Sequence, residues 1–226
     1  MSSYFHYKIL KLPSLLFIFP NFPPSVNSIP FNISHFEPDE HDVVYHEDAM
    51  PSQGNIELNM KFRYLSQVGW ATYAKRVPIW NSETGNLTDF TTRFSFTVVT
   101  TIQEFNGHGL AFVLAPVGFE IPPYSAGGFL GLFNTTTSSS SRNRIVLVEF
   151  DSFGNLSGIL LFRMLALTTA QLDLMFSLLG MLVCLYSGTK TNVLITYNAG
   201  AKNLSVSWNY GTSIPSISRE NGTSLS

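Results

Sequence analysis

The sequence predicts an all-β sandwich. Short segments of alternating polarity recur along the chain, and Gly, Pro, Asn or Ser clusters bound them. Helix signals are few. A third observation is the β-branched apolar run that opens Arg144 to Asn155, which reads as a buried strand.

In chain order, Ile29 to Phe36 mixes apolar and polar residues and is read as a first strand. Glu37 to Gln53 is acidic. Its His41 and His46 lack metal-like spacing to a partner acid, so both are placed on loop or surface. Asn55 to Met60 alternates as a half-buried strand should. Gly69 to Trp80 is aromatic and short-period, and Asn81 to Asp89 is a turn cluster. Phe90 to Thr100 alternates again, with Phe94, Phe96 and Val98 on one face. Leu110 to Ala115 is a further strand, Gly118 to Gly128 a Pro- and Gly-rich loop, and Phe129 to Phe133 a short strand. Thr135 to Arg144 is a serine-rich loop. Val193 to Tyr197 and Leu204 to Trp208 flank Asn198 to Asn203 as a hairpin.

The run Arg144 to Asn155 also carries the chemistry. Glu149 and Asp151 are two residues apart, so on a strand they share a face. Two carboxylates on one face repel, and a hard cation bound by oxygens relieves that cost. Asn155 adds an amide oxygen, and the Phe153 carbonyl lies between. The alternative is a strand with two solvated acids.

Composition bounds the rest. The chain has 226 residues, 12% charged and 14% aromatic, including 19 Phe. It can bury a large core and is not of disordered type. A net charge of -2 gives no footprint for nucleic acid. The single cysteine, Cys184, excludes an internal disulfide. Lys8 and Lys11 precede the apolar run Leu12 to Phe19, so residues 1–28 read as a signal peptide, or else as a ragged apolar tail. Sequons at Asn32, Asn86, Asn134, Asn203 and Asn221 agree with a secretory route.

Five motifs occur in the order of a known family: Phe31 to Phe36, Thr92 to Phe96, Gly109 to Pro116, Gly127 to Phe133 and Val148 to Phe153. Together they resemble legume-type lectins, most of all the extracellular lectin domain of plant lectin receptor kinases. The resemblance implies a jelly-roll sandwich over residues 29–226, incomplete at the C-terminal end. It implies glycan binding above calcium and a transition metal, usually manganese. It also implies a secreted or cell-surface location and allows a homodimer.

Carried over residue by residue, Glu149 would hold the transition metal and Asp151 would bridge both metals. The Phe153 carbonyl and Asn155 would bind calcium, with Asn155 also donating to the sugar. Gly128 would offer a backbone N–H to a sugar hydroxyl. The family's sugar-binding acid is replaced by His108. A neutral imidazole has one acceptor nitrogen where a carboxylate has two oxygens, so monosaccharide binding should weaken or change. In the family the peptide bond preceding this residue is cis.

After Asn155 the resemblance breaks. The family continues with Trp-Asp-Pro and His-Val-Gly-Ile, which supply one ligand to each metal. Residues 156–185 are instead a long apolar stretch. A membrane helix is disfavoured, because Arg163, Gln171 and Asp173 interrupt it. Back-translation offers another reading. With Leu156 to Leu160 written TTG AGT GGG ATC CTN, the frame shifted by two nucleotides reads Glu-Trp-Asp-Pro. With Arg163 written CGC and Met164 to Thr169 as ATG TTG GCA TTG ACA ACN, the same frame reads His-Val-Gly-Ile-Asp-Asn. The restored Asp and His fall at positions 159 and 164. We therefore expect residues 156–185 to be an out-of-frame translation. As written, Ile159 and Met164 offer no oxygen or imidazole, and metal binding should be poor.

Two other functions compete with a lectin. A sandwich glycoside hydrolase or transglycosylase would use Glu149 and Asp151, but the further carboxylate such an enzyme needs is missing from 153 to 155. A non-catalytic module for apolar ligands is the other.

Overall fold

A computed structural model describes residues 29–60, 66–79, 87–99, 108–137, 145–151, 159–166, 177–184 and 188–211. Among the described residues the regular elements are strands, apart from one short 3-10 turn at Gly127–Phe129. The chain divides into two units, one built from Asn32–Arg76 and Thr100–Tyr186, the other from Met1–Phe31, Val77–Val99 and Ser187–Ser226.

In the first unit, β1 (Val43–Glu47) pairs antiparallel with β4 (Gly69–Tyr73). The ribbon β2 (Met50–Ser52) and β3 (Asn55–Glu57) turns through Gln53 and Gly54, both at positive φ. Such a turn matches the right-handed twist of the strands it joins. A four-stranded sheet runs in the order β6 (Gly109–Leu114), β7 (Val146–Asp151), β8 (Ile159–Ala166), β9 (Ser177–Cys184), all antiparallel.

β7 is central because both its faces are apolar. Val148 and Phe150 on one face are 0% and 3% exposed, and Leu147 on the other is 2% exposed. The Leu147 face packs with Leu132, Phe133 and Ile145, and with Trp70 and Ala111 at its margin. Burying each such side chain contributes about 1.5–3 kcal/mol. Glu149 continues the Leu147 face and is only half-buried, so the apolar layer gives way to acids at the strand's end.

In the second unit, β10 (Lys190–Asn198) lies between β11 (Asn203–Tyr210) and β5 (Phe90–Thr97). The hairpin of β10 and β11 is the one the sequence predicts. Its loop is tied by Asn198 Oδ1, which accepts from Ala201 N at 2.7 Å. Val193 and Ile195 are fully buried, and so is Asn192. The Asn192 amide stays there because it is satisfied. Its oxygen accepts from Ser95 Oγ at 2.7 Å, and its nitrogen donates to Asn209 Oδ1 at 3.1 Å and Gly211 O at 2.8 Å.

Tyr197 is less well served. It stacks on Phe90 at 5.7 Å between ring centroids, yet its hydroxyl has no hydrogen-bond partner among the described residues. Burial, and then the Asp89 carboxylate, push its phenol above the ordinary value. A raised phenol favours the protonated fold. Its contribution is complete below the unfolded value of about 10 and is lost as pH rises through the higher folded value. Tyr197→Phe should therefore raise stability by about 1 kcal/mol at neutral pH. It should also flatten the alkaline loss of stability; thermal unfolding from pH about 8 to about 11 measures both.

Several expectations are corrected. Ile29 to Phe36 forms no strand, only an isolated bridge from Phe36 to Gly54. No strand is expected in the acidic stretch Glu37 to Gln53, yet it contains β1 and β2. His46 sits on β1, where it hydrogen-bonds Thr72 Oγ1 at 3.0 Å. Phe129 to Phe133 is no strand either: Leu132 N bonds Phe129 O at 2.8 Å, which curls the segment into a turn. The backbone of Ile159–Ala166 and Ser177–Cys184 is extended, so the membrane-helix alternative fails. No described helix is long and apolar enough to cross a membrane.

Candidate functional site

Three segments meet where β6 begins and β7 ends. The register pairs Gly109 with Asp151 and Ala111 with Glu149. His108 therefore stands at the mouth of β6, one residue before the position opposite Asp151. Strand alternation keeps the Glu149 and Asp151 positions on one face.

The third segment is the loop from Pro116 to Phe133. Gly131 N bonds Ser125 O at 2.8 Å, and Leu130 N bonds Gly127 O at 2.9 Å, closing residues 125–131 into a compact turn. Trp70 anchors it, stacked on Phe119 at 5.7 Å and 10° and donating from Nε1 to Leu130 O at 3.4 Å. Asn134 braces its outer side: Nδ2 donates to Pro123 O at 3.3 Å, and Oδ1 accepts from Thr136 N and Thr137 N, each at 3.0 Å. The amide of this sequon thus has a structural use.

The His108 ring lies on the tip of that turn. A Cβ added at Gly127 would sit 3.3 Å from His108 Nε2, and one added at Gly128 would sit 3.5 Å from Nδ1. Gly127 also has φ 75, a conformation that glycine adopts without cost. Two glycines thus let an imidazole and a backbone approach closely.

Of the residues singled out in the sequence, His108 and Gly128 are brought into contact, and the register sets Glu149 and Asp151 at the same end of the sheet. Phe153 and Asn155 lie outside the described residues. No peptide bond among the described residues is cis; the bond preceding His108 begins at Gly107, outside them. The braces Trp70 and Asn134 went unread in the sequence. The Asn-Thr-Thr run is at once a sequon and the signal for a side-chain-capped turn.

A glycine turn thus lies under a polar ring at the end of an antiparallel sheet. Residues 28–225 match the legume lectin domain family, and the chain belongs to that family. It is 48% identical over 143 residues to the L-type lectin-domain containing receptor kinase IX.1 of Arabidopsis thaliana, covering 62% of this chain. The chain spans 22% of that receptor kinase's length. Among solved structures it is similar to the Lotus tetragonolobus seed lectin, with TM-score 0.64 and 27% identity over 80% of this chain and 90% of that one. It is also similar to lectin I-B4 from Griffonia simplicifolia in its metal free form, with TM-score 0.64 and 25% identity over 81% and 79%. The fold is the legume-lectin jelly-roll β-sandwich. Family members bind carbohydrate and are not enzymes, so neither the hydrolase nor the apolar-ligand alternative gains support.

The family also binds metal ions; of the ligands it implies here, Phe153 and Asn155 lie outside the described residues. The described residues hold no group of three or more His, Cys, Asp or Glu placed to share an ion. The register sets Arg163 opposite Glu149 and Met164 opposite Val148. Position 164 is therefore on the side of the ladder away from the acids.

Proposed function

We propose that this chain is a glycan-recognition domain, secreted or displayed at the cell surface, with residues 1–28 as its signal peptide and 29–226 as its lectin domain. The observation that carries this is the His108 ring laid on the Gly127–Gly128 turn, beside the Asp151 end of β7. A sugar hydroxyl needs a donor and an acceptor within a few ångströms. Gly128 N–H would be the donor, and a neutral His108 would add one of each. Asn155 would complete the set by the family pattern.

The metals implied are calcium and manganese, held by Glu149, Asp151, the Phe153 carbonyl and Asn155. Ile159 and Met164 stand where the remaining ligands belong, because residues 156–185 are read out of frame. With a carboxylate and an imidazole missing, the ions are held weakly, and the sugar loops rely on the Trp70 and Asn134 braces instead.

The test is a glycan array probed with the whole chain, with and without a chelator. We expect weak binding to neutral sugars that the chelator changes little. Absence of binding to any glycan would overturn the lectin reading. Release of reducing sugar from an oligosaccharide would favour hydrolysis instead.

A further inference from the structure

We propose that Tyr124 is the platform of a second saccharide position, taking the apolar face of a pyranose one residue along a bound oligosaccharide. This rests on the glycan-recognition reading above.

Tyr124 is 95% exposed, the most exposed of the large hydrophobic residues described. Its backbone has φ 60, left-handed and unusual for a bulky residue. It follows Pro123 in a turn, where a positive φ at the second central position calls for Gly or Asn. A strained backbone under an unburied ring gains nothing for the core. Strain of this kind collects at ligand clamps.

The turn is nonetheless held on both sides. Asn134 Nδ2 grips the Pro123 carbonyl at 3.3 Å. Ser125 is 3% exposed, and its carbonyl accepts from Gly131 N at 2.8 Å. The ring is therefore presented from a fixed base, which lowers the ordering cost of binding. Gly128 is four positions after Tyr124, so the two are at most about 14 Å apart.

The ligand class follows from the ring's setting. A tyrosine offers a flat apolar face and a polar tip, with little rotamer entropy to lose. A pyranose has the matching form, with C–H groups on its faces and hydroxyls at its rim. Val117, 71% exposed, adds apolar surface to the same loop. The polar His108–Gly128 end would hold the first sugar, and Tyr124 would hold its neighbour.

The experiment compares the full chain with Tyr124→Ala, Tyr124→Phe and Tyr124→Gly on an array. The array carries galactose, fucose, mannose and glucose, each as a monosaccharide and as the end of a short oligosaccharide. The parent chain should prefer the oligosaccharides. Tyr124→Ala should cut that preference by about fivefold, and Tyr124→Phe should keep it. Tyr124→Gly should cut it while raising the melting temperature, because glycine accepts φ 60 freely. An unchanged preference in Tyr124→Ala overturns the platform while leaving the lectin reading intact. A parent chain that binds no glycan overturns both.

Discussion

Replacing residues 157–160 with Glu-Trp-Asp-Pro and 164–169 with His-Val-Gly-Ile-Asp-Asn should tighten calcium binding roughly a hundredfold or more, since affinity in oxygen sites follows ligand charge and number. The replacement restores a carboxylate at position 159 and an imidazole at position 164, the two donors the chain lacks. It should also make glycan binding sensitive to chelator. Isothermal titration with calcium and then manganese reads the first effect. Equal affinity before and after the replacement would mean that the shifted frame is coincidence.

The ladder adds a sharper test. The present register sets position 163 opposite Glu149 and position 164 opposite the fully buried Val148. A one-residue slip moves every side chain of a strand to the other face. For an imidazole at 164 to join Glu149, β8 must slip by one. The given sequence favours the present pairing, which sets an arginine position across from an acid. Met164→His alone should therefore gain little metal affinity. The whole replacement keeps Leu161 to Arg163 but changes the residues on both sides of them, which frees the register. Sequencing the transcript across codons 150–190 addresses the same idea at its source.

How far the sequence could be read depended on the range of the forces involved. β5 was legible because alternation over five or more residues is a local signal, and β6, β7 and the β10–β11 hairpin because an apolar run bounded by turn residues is another. β2 and β3 are three residues each, too short for any period to show. The first predicted strand failed because Ile29 to Phe36 finds only the Gly54 bridge, and pairing is not local. Phe129 to Phe133 reads as a strand by composition, yet Gly127 and Gly131, both at positive φ, bend it into a turn. At the site, the motif order singles out His108 and Gly128, and the two lie close together. The Trp70 brace was illegible because Trp70 reaches Leu130 across 60 residues. Tyr124 was passed over because neither exposure nor φ can be read from Pro-Pro-Tyr-Ser.

Gly131→Ala should destabilise the fold by roughly 2–4 kcal/mol, combining a left-handed backbone with overpacking. Gly131 has φ 76, and an added Cβ would sit 2.5 Å from Val68 Cγ1 and 2.7 Å from Trp70 Nε1. Neither neighbour can retreat cheaply. Trp70 is stacked on Phe119, and its Nε1 holds the Leu130 carbonyl. The loop must move instead, breaking the Gly131 N to Ser125 O bond that closes the turn beneath His108. Gly118→Ala separates the two costs. Gly118 has φ 81, but an added Cβ there meets nothing within 4 Å. It should lose only the conformational part, about 1–2 kcal/mol, and should keep glycan binding. Gly131→Ala should lower the melting temperature by roughly 10 °C and abolish glycan binding at temperatures where the chain is still folded. Equal losses in the two variants would show that strain alone sets the cost. Glycan binding retained by Gly131→Ala would detach the turn, and the Trp70 brace beneath it, from recognition.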